Sequence, residues 1–403
     1  MKDIPVMNKI TLPITTVSLA LAILAIGNAS GRSADPVVGH IYTLDNDGNS
    51  NGVVILNRLA DGTITEMQAS PVPTGGKGLV VPHGGDLDSQ GPLRIHGKHL
   101  LAVNPGSDSI TVFEIAPSGA LKPVAGSPVR SGGSHPMSLA VHGDLVYVAN
   151  QAVPFANPTS APNITGFRLG KAGGLTPIAG STIEFPPGEG PAQVEFNGAG
   201  TVLAVTAGFQ SDGSVRSFAV QSNGLLKEGP GSPFQADRAS GLSGTVGFAW
   251  TADGRRIMAT NFRGSAIRVF SIDPKTAALT LEGAPYSNHQ RAMCWAVLGP
   301  DRKTLYTSNY VTNNVSVFSI AGDGTLDLIG NSAPKRFSSS SVPDSKELQV
   351  SPDGKFLYLI GPIATEIAIF SLEPKDGVPQ ELPEGRSPFR LKTGQWTMGL
   401  ALN

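Results

Sequence analysis

The same phrase returns seven times along the chain: an alternating apolar and polar run, a short polar break, and a second alternating run. The clearest copy is "LYTSNYVTNNVSVFSI", from Leu305 to Ile320, and "LLAVNPGSDSITVFEI" from Leu100 and "RIMATNFRGSAIRVFSI" from Arg256 share its grammar. Side chains alternate across a strand, so each phrase encodes two half-buried β-strands around a loop. Copies begin near His40, Leu100, Leu145, Thr201, Arg256, Thr304 and Phe356, a spacing of roughly 45 to 60 residues. Each continues into a polar turn, usually with Gly, as in "PSGAL" from Pro117, and then a short strand such as "KPVAGSP". Most copies are preceded by a further apolar strand, such as "MSLAVHGD", "AQVEFNGAG", "VGFAWTADG", "CWAVLGPD" or "ELQVSPDG". Several of these end in residues suited to a tight reversal.

One four-stranded unit cannot bury both faces, so the units must stack, and closing the stack into a ring removes exposed edges. The chain ends specify the closure. The first hairpin lacks a first strand of its own, and the chain finishes on "GQWTMGLALN", which reads as one. The expected fold is all-β: a single seven-bladed β-propeller over residues 36–403, with blades of four antiparallel strands. The C-terminal strand pairs with the N-terminal blade to close the ring. With 49 Gly and 32 Pro against only 15% charged residues, composition favours a turn-rich β protein over a helical one.

A formal net charge of -1 offers no field for a nucleic-acid backbone or an anionic membrane. The single cysteine, Cys294, excludes intrachain disulfides and Cys-rich metal sites, and its apolar run "RAMCWAV" reads as core. Lys2 and Lys9 flank an apolar run from Ile10 to Ile26 that ends in small residues. Residues 1–29 therefore read as a signal peptide, with Met1 or Met7 as the start, and the mature protein is expected in the periplasm or medium, without stable membrane association.

The units, written as "[LY]-x-[AT]-N-x…-I-x-V-F-x-I…G-x-L" after "PDGK-x-LY", resemble the lactonase-type seven-bladed propellers, the family of 6-phosphogluconolactonase and carboxymuconate lactonising enzymes. "SPDGKFLYLI", "SNYVTNNVSVFSI" and "GPAQVEFNGAG" carry the likeness most strongly, and it runs over the whole mature chain. The resemblance implies lactone opening or formation in the central channel. The expected ligand is a small lactone or hydroxy acid, and the expected protein is a monomer that needs no cofactor or metal. Two positions depart from the catalytic members. Gly208 stands where they place an acid, and Phe262 follows Asn261 where they tend to place Arg, with Arg263 one place late. A muconate-type cycloisomerase and a non-catalytic binding propeller are the competing readings.

Residues entering the innermost strands cluster at one mouth of a propeller, the default ligand site. His135 in "GGSHPMS" stands at such an entrance and offers a general base. Arg291 in "HQRAMCW", with His289 nearby, offers paired donors for a substrate carboxylate. Glu347, Gln193 and Glu195 occupy innermost-strand positions, and either carboxylate facing the channel could move a proton. Trp295 and Trp396 could stack on a flat ligand, while Arg263 and Asn309 could contact it. Asn104, Asn150, Asn261 and Asn309 recur at one position, which points to a duty at the strand-to-loop bend. "DNDGNSNG" from Asp45 misses the calcium-loop pattern, with Ser50 where Gly is required. His83, Asp86 and Asp88, or His96 and His99, are weaker metal candidates.

Overall fold

Seven antiparallel sheets form the molecule, and each starts on a strand that faces a common axis. These innermost strands are Met398–Leu402 in blade 1, Leu93–His96 in blade 2, Pro136–His142 in blade 3 and Pro191–Phe196 in blade 4. Thr245–Trp250, Met293–Leu298 and Leu348–Val350 serve blades 5, 6 and 7. Each packs against the next around the ring. The structure, a computed structural model, describes residues 35–79, 88–209, 212–236, 243–335, 343–374, 376–393 and 396–403. The segment read as a signal peptide, and His83 and Asp86, lie outside the described residues. From Pro36 to Asn403 the chain forms one compact unit.

The ring closes as the chain ends specify. Tyr42 pairs with Ala401 and Ile41 with Leu402, so the last strand becomes the innermost strand of the first blade. His40 N donates to Asn403 Oδ1 at 2.8 Å, and Asn403 N donates back to His40 O.

The repeated words have physical duties. The "G-x-L" glycine sits with positive φ in the turn before the outer strand of six blades, 80° at Gly119 and 86° at Gly62, and Ala277 takes that place in blade 5 at 56°. A Cβ on Gly119 would lie 2.2 Å from the His40 ring of the preceding blade, so only glycine fits. The freed carbonyl is then used: Tyr42 Oη donates to Gly119 O at 3.0 Å, Tyr358 to Gly62 and Tyr147 to Gly224. The tyrosine of one blade thus pins the turn of the next.

In five blades the outer strand breaks into two short pieces. At the break a serine hydroxyl accepts the N–H left without a ladder partner, Ser70 from Ile55, Ser127 from Val112 and Ser232 from Ser217. The recurrent asparagines work likewise. Asn104, Asn150, Asn261 and Asn309 are fully buried and tie the bend after the second strand to its neighbours.

Candidate functional site

The axis is not an open tube. Side chains from the innermost strands cross it at mid-height and use up backbone groups that a blade edge would leave bare. Gln193 in blade 4 donates to Phe248 O at 3.0 Å and accepts from Phe248 N at 2.8 Å, in blade 5. Gln90, just before the innermost strand of blade 2, does the same to Ala296 in blade 6, donating at 2.6 Å and accepting at 3.2 Å. Glu347 in blade 7 accepts from Gly91 N at 3.0 Å and Leu400 N at 3.2 Å, in blades 2 and 1.

The residue types follow from these partners. An amide suits one N–H and one C=O, whereas a carboxylate suits two N–H donors. Gln90 and Glu347 link non-neighbouring blades and Gln193 joins the neighbouring blades 4 and 5, and together they form a septum in the channel. Gln193 and Glu347, expected to meet substrate, have no solvent exposure. Burial pushes the Glu347 carboxyl up to about 7, against the pull of its donors and of Arg94.

Above the septum lies the mouth where the innermost strands begin. Lys346 Nζ and the Asp88 carboxylate make a direct ion pair there, with side chains only 9% and 17% exposed. Asp88 comes from the segment leading into blade 2 and Lys346 from the one leading into blade 7. The ammonium lies 4.3 Å above the Tyr310 ring, a cation–π contact. Asp88 Oδ1 is buried and has no hydrogen-bond partner. Trp295 and Phe209 meet edge to face at 5.8 Å, and Phe262 lies 5.8 Å beyond Phe209, building an aromatic wall.

Cys294, in the innermost strand of blade 6, is buried, and burial and the Asp88 charge push its thiol up to about 12, which makes it a poor nucleophile. A second buried pair stands beside this mouth. Asp344 accepts from Ile363 N and Ala364 N, both at 2.9 Å, and Lys335 donates to Asn313 Oδ1 at 3.1 Å. Burial drives both toward neutrality.

The sequence-derived candidates fall at several levels. Arg291 is exposed on the loop entering blade 6, next to this mouth, where its carbonyl accepts from Val311 N. Trp295 forms part of the wall from a fully buried position. Arg263 is held on the rim by Ser243 at 3.1 Å, Asp212 at 3.9 Å and the face of Phe262. Asn309 is committed to Asn288, Asn314 and Ser316.

His135 takes a different place from the one expected of a general base. Its Nδ1 accepts from Val153 N at 3.1 Å, and its ring also bonds the Ala156 backbone, so it fastens the loop 153–156. Burial lowers its proton affinity. Glu195 lies at the far end of the axis, below the septum, with Gln193 donating to it at 3.0 Å. In the Asp45 loop, Asp45 and Asp47 cap backbone N–H groups of the loop itself. Asp88 and Lys346 were missed as a pair, because their segments carry no strand pattern.

The departure at Gly208 has a steric cause. A Cβ there would lie 2.2 Å from the Thr245 carbonyl oxygen, so the backbone of blade 5 occupies the space an acidic side chain would need.

Against known proteins, the family model described as Lactonase, 7-bladed beta-propeller matches residues 296–387, a stretch that includes Tyr310 and Lys346. Fold and match together support a lactonase-type propeller. A candidate 6-phosphogluconolactonase from Bacteroides fragilis superposes with a TM-score of 0.68 at 19% identity, over 92% of this chain and 100% of that one. The periplasmic gluconolactonase of Pseudomonas aeruginosa gives 0.66 at 17% identity, over 90% and 98%. At such identities the likeness is one of fold. No curated protein matches the sequence.

Proposed function

We propose that the protein hydrolyses a small lactone at the upper mouth. The observation that carries this reading is the buried Asp88–Lys346 pair, with one carboxylate oxygen unpartnered beside an aromatic wall. Asp88 takes a proton from the attacking water as its oxygen bonds the acyl carbon. The Lys346 ammonium offsets the negative charge that develops on the carbonyl oxygen. The ring C–O bond then breaks, and the leaving alkoxide recovers the proton from Asp88, giving a hydroxy acid. Tyr310, Phe209 and Phe262 exclude water from one side of the ring. Arg291 on the rim attracts substrates that carry a carboxylate. In this reading His135 and Glu347 hold the scaffold rather than move the proton.

The neighbours named as gluconolactonases support a sugar lactone as the first substrate to try. The N-terminal apolar run and the periplasmic description of the Pseudomonas neighbour support export. N-terminal sequencing of the protein from periplasm or medium should find a start near residue 30.

The test of the activity is acid release in a pH-stat from glucono-, γ-butyro- and muconolactone, by the wild type and Asp88→Asn, with thermal melts alongside. Turnover that collapses in a folded Asp88→Asn protein supports the reading. Turnover equal in both proteins removes Asp88 from the chemistry, and none with any lactone removes the reading.

A further inference from the structure

Below the septum, the axis opens into a cavity of about 280 Å³ that the lactone reading does not use. This is the small end of the size range of ligand pockets, about 300–1,000 Å³. Arg94, Glu195, Trp250, Gln349, Arg302 and Phe248 line it, from blades 2, 4, 5, 6 and 7.

Two buried N–H donors on its wall have no acceptor. Arg94 spends Nε on Leu139 O at 2.9 Å, but its Nη2 makes no hydrogen bond and stands 3.7 Å from Glu195 Oε2. Trp250 is 7% exposed, and its Nε1 has no partner. Buried donors in native structures are paired, so open ones on a cavity wall point to something that fills it. The acceptor side of the cavity is Glu195.

The chemistry of the occupant follows from this mixture. Arg302 is exposed and donates to Ala252 O at 3.1 Å, which leaves Arg94 facing Glu195, so a ligand carrying a full negative charge would meet Arg94 but also the Glu195 carboxylate. A cation would meet the reverse. Neighbouring hydroxyl groups satisfy both sides, since each accepts from an N–H and donates to a carboxylate oxygen. Trp250, 7% exposed and backed edge to face by the fully buried Phe248 ring at 6.4 Å, supplies an apolar wall for the C–H face of such a ligand.

We propose that this lower cavity binds a small neutral polyol of monosaccharide size, with Arg94 and Trp250 as donors and Glu195 as acceptor. The proposal is independent of any activity at the upper mouth.

Isothermal titration of the mature protein with glucose, galactose and butyrate tests it, with tryptophan fluorescence as a second readout. A hexose should bind saturably, with Kd in the millimolar range, and butyrate should not bind. Trp250→Phe keeps an aromatic ring and removes the donor, and should weaken hexose binding about tenfold, the worth of one hydrogen bond. If that variant fails to fold, Glu195→Gln, at a half-exposed position, should weaken binding in the same direction. No saturable hexose binding overturns the proposal and leaves ordered water as the occupant. Hexose binding unchanged in the folded variants, or butyrate binding as tightly, also overturns it.

Discussion

At the upper mouth a lysine and an aspartate touch directly, walled by aromatic rings. At the lower end an arginine and a glutamate stand 3.7 Å apart, with side chains 22% and 35% exposed. The segments leading into blades 2 and 7 present the upper pair, and the innermost strands of blades 2 and 4 present the lower one. The upper pair is drier, so its charges are screened less and interact more strongly. A carboxylate held there with one buried oxygen lacking a hydrogen-bond partner is suited to taking a proton. The lower pair is wetter and looser, suited to binding hydroxyl groups without transforming them. Burial, more than residue type, separates the two ends, and the septum keeps them apart.

The largest effect should come from the upper pair. Asp88→Asn should lower lactone turnover by about 10²- to 10⁴-fold, the usual contribution of a placed proton acceptor. An equal loss from Glu195→Gln would erase the distinction between the ends.

The septum comes next. Glu347→Gln turns an amide NH₂ toward a backbone N–H and should destabilise the fold by about 1–3 kcal/mol, read from urea denaturation. The pH dependence sharpens this. Burial raises the folded-state pKa of Glu347 from 4.5 to about 7. The stability it contributes is therefore full below 4.5 and is lost as pH rises through about 7. The variant should lack that part of the slope. The converse change, Gln193→Glu, sets a carboxylate against Phe248 O and should cost a similar amount, about 1–3 kcal/mol.

Arg291→Ala is a smaller test. It should raise KM for a carboxylate-bearing lactone about two- to fivefold, as for an exposed charge, and leave a neutral lactone unchanged. Least of all, iodoacetamide at pH 8 should leave Cys294 unmodified in the folded protein, because burial holds the thiol protonated.

The ring was readable because strand alternation, repeated seven times, and turn glycines, present in six of the units, are local signals. Even the seam was legible, since "GQWTMGLALN" had no other blade to complete. The match of Gln193 with Glu347 was legible too, but their direction was not. Whether such a side chain meets substrate or a neighbouring backbone depends on which blade faces it across the axis. That information is absent from any single repeat. Asp88 was harder still. It lies in "DLDSQGPL", which has neither alternation nor repeat identity, and its partner Lys346 lies five blades further along the chain. Gly208 shows the opposite case. A sequence departure that looked like a lost acid is a place where the Thr245 backbone leaves no room for one.

A ring whose blades touched only their neighbours would melt like a linear repeat array, each segment opening on its own terms. The side chains across this axis change that. Gln90 ties blade 2 to blade 6, and Glu347 ties blade 7 to blades 1 and 2. They act as spokes on a wheel, so the seam between first and last strands cannot part without loading the far rim. Amide protons at Ala296 and Gly91, at the spoke ends, should then exchange only when the whole wheel comes apart.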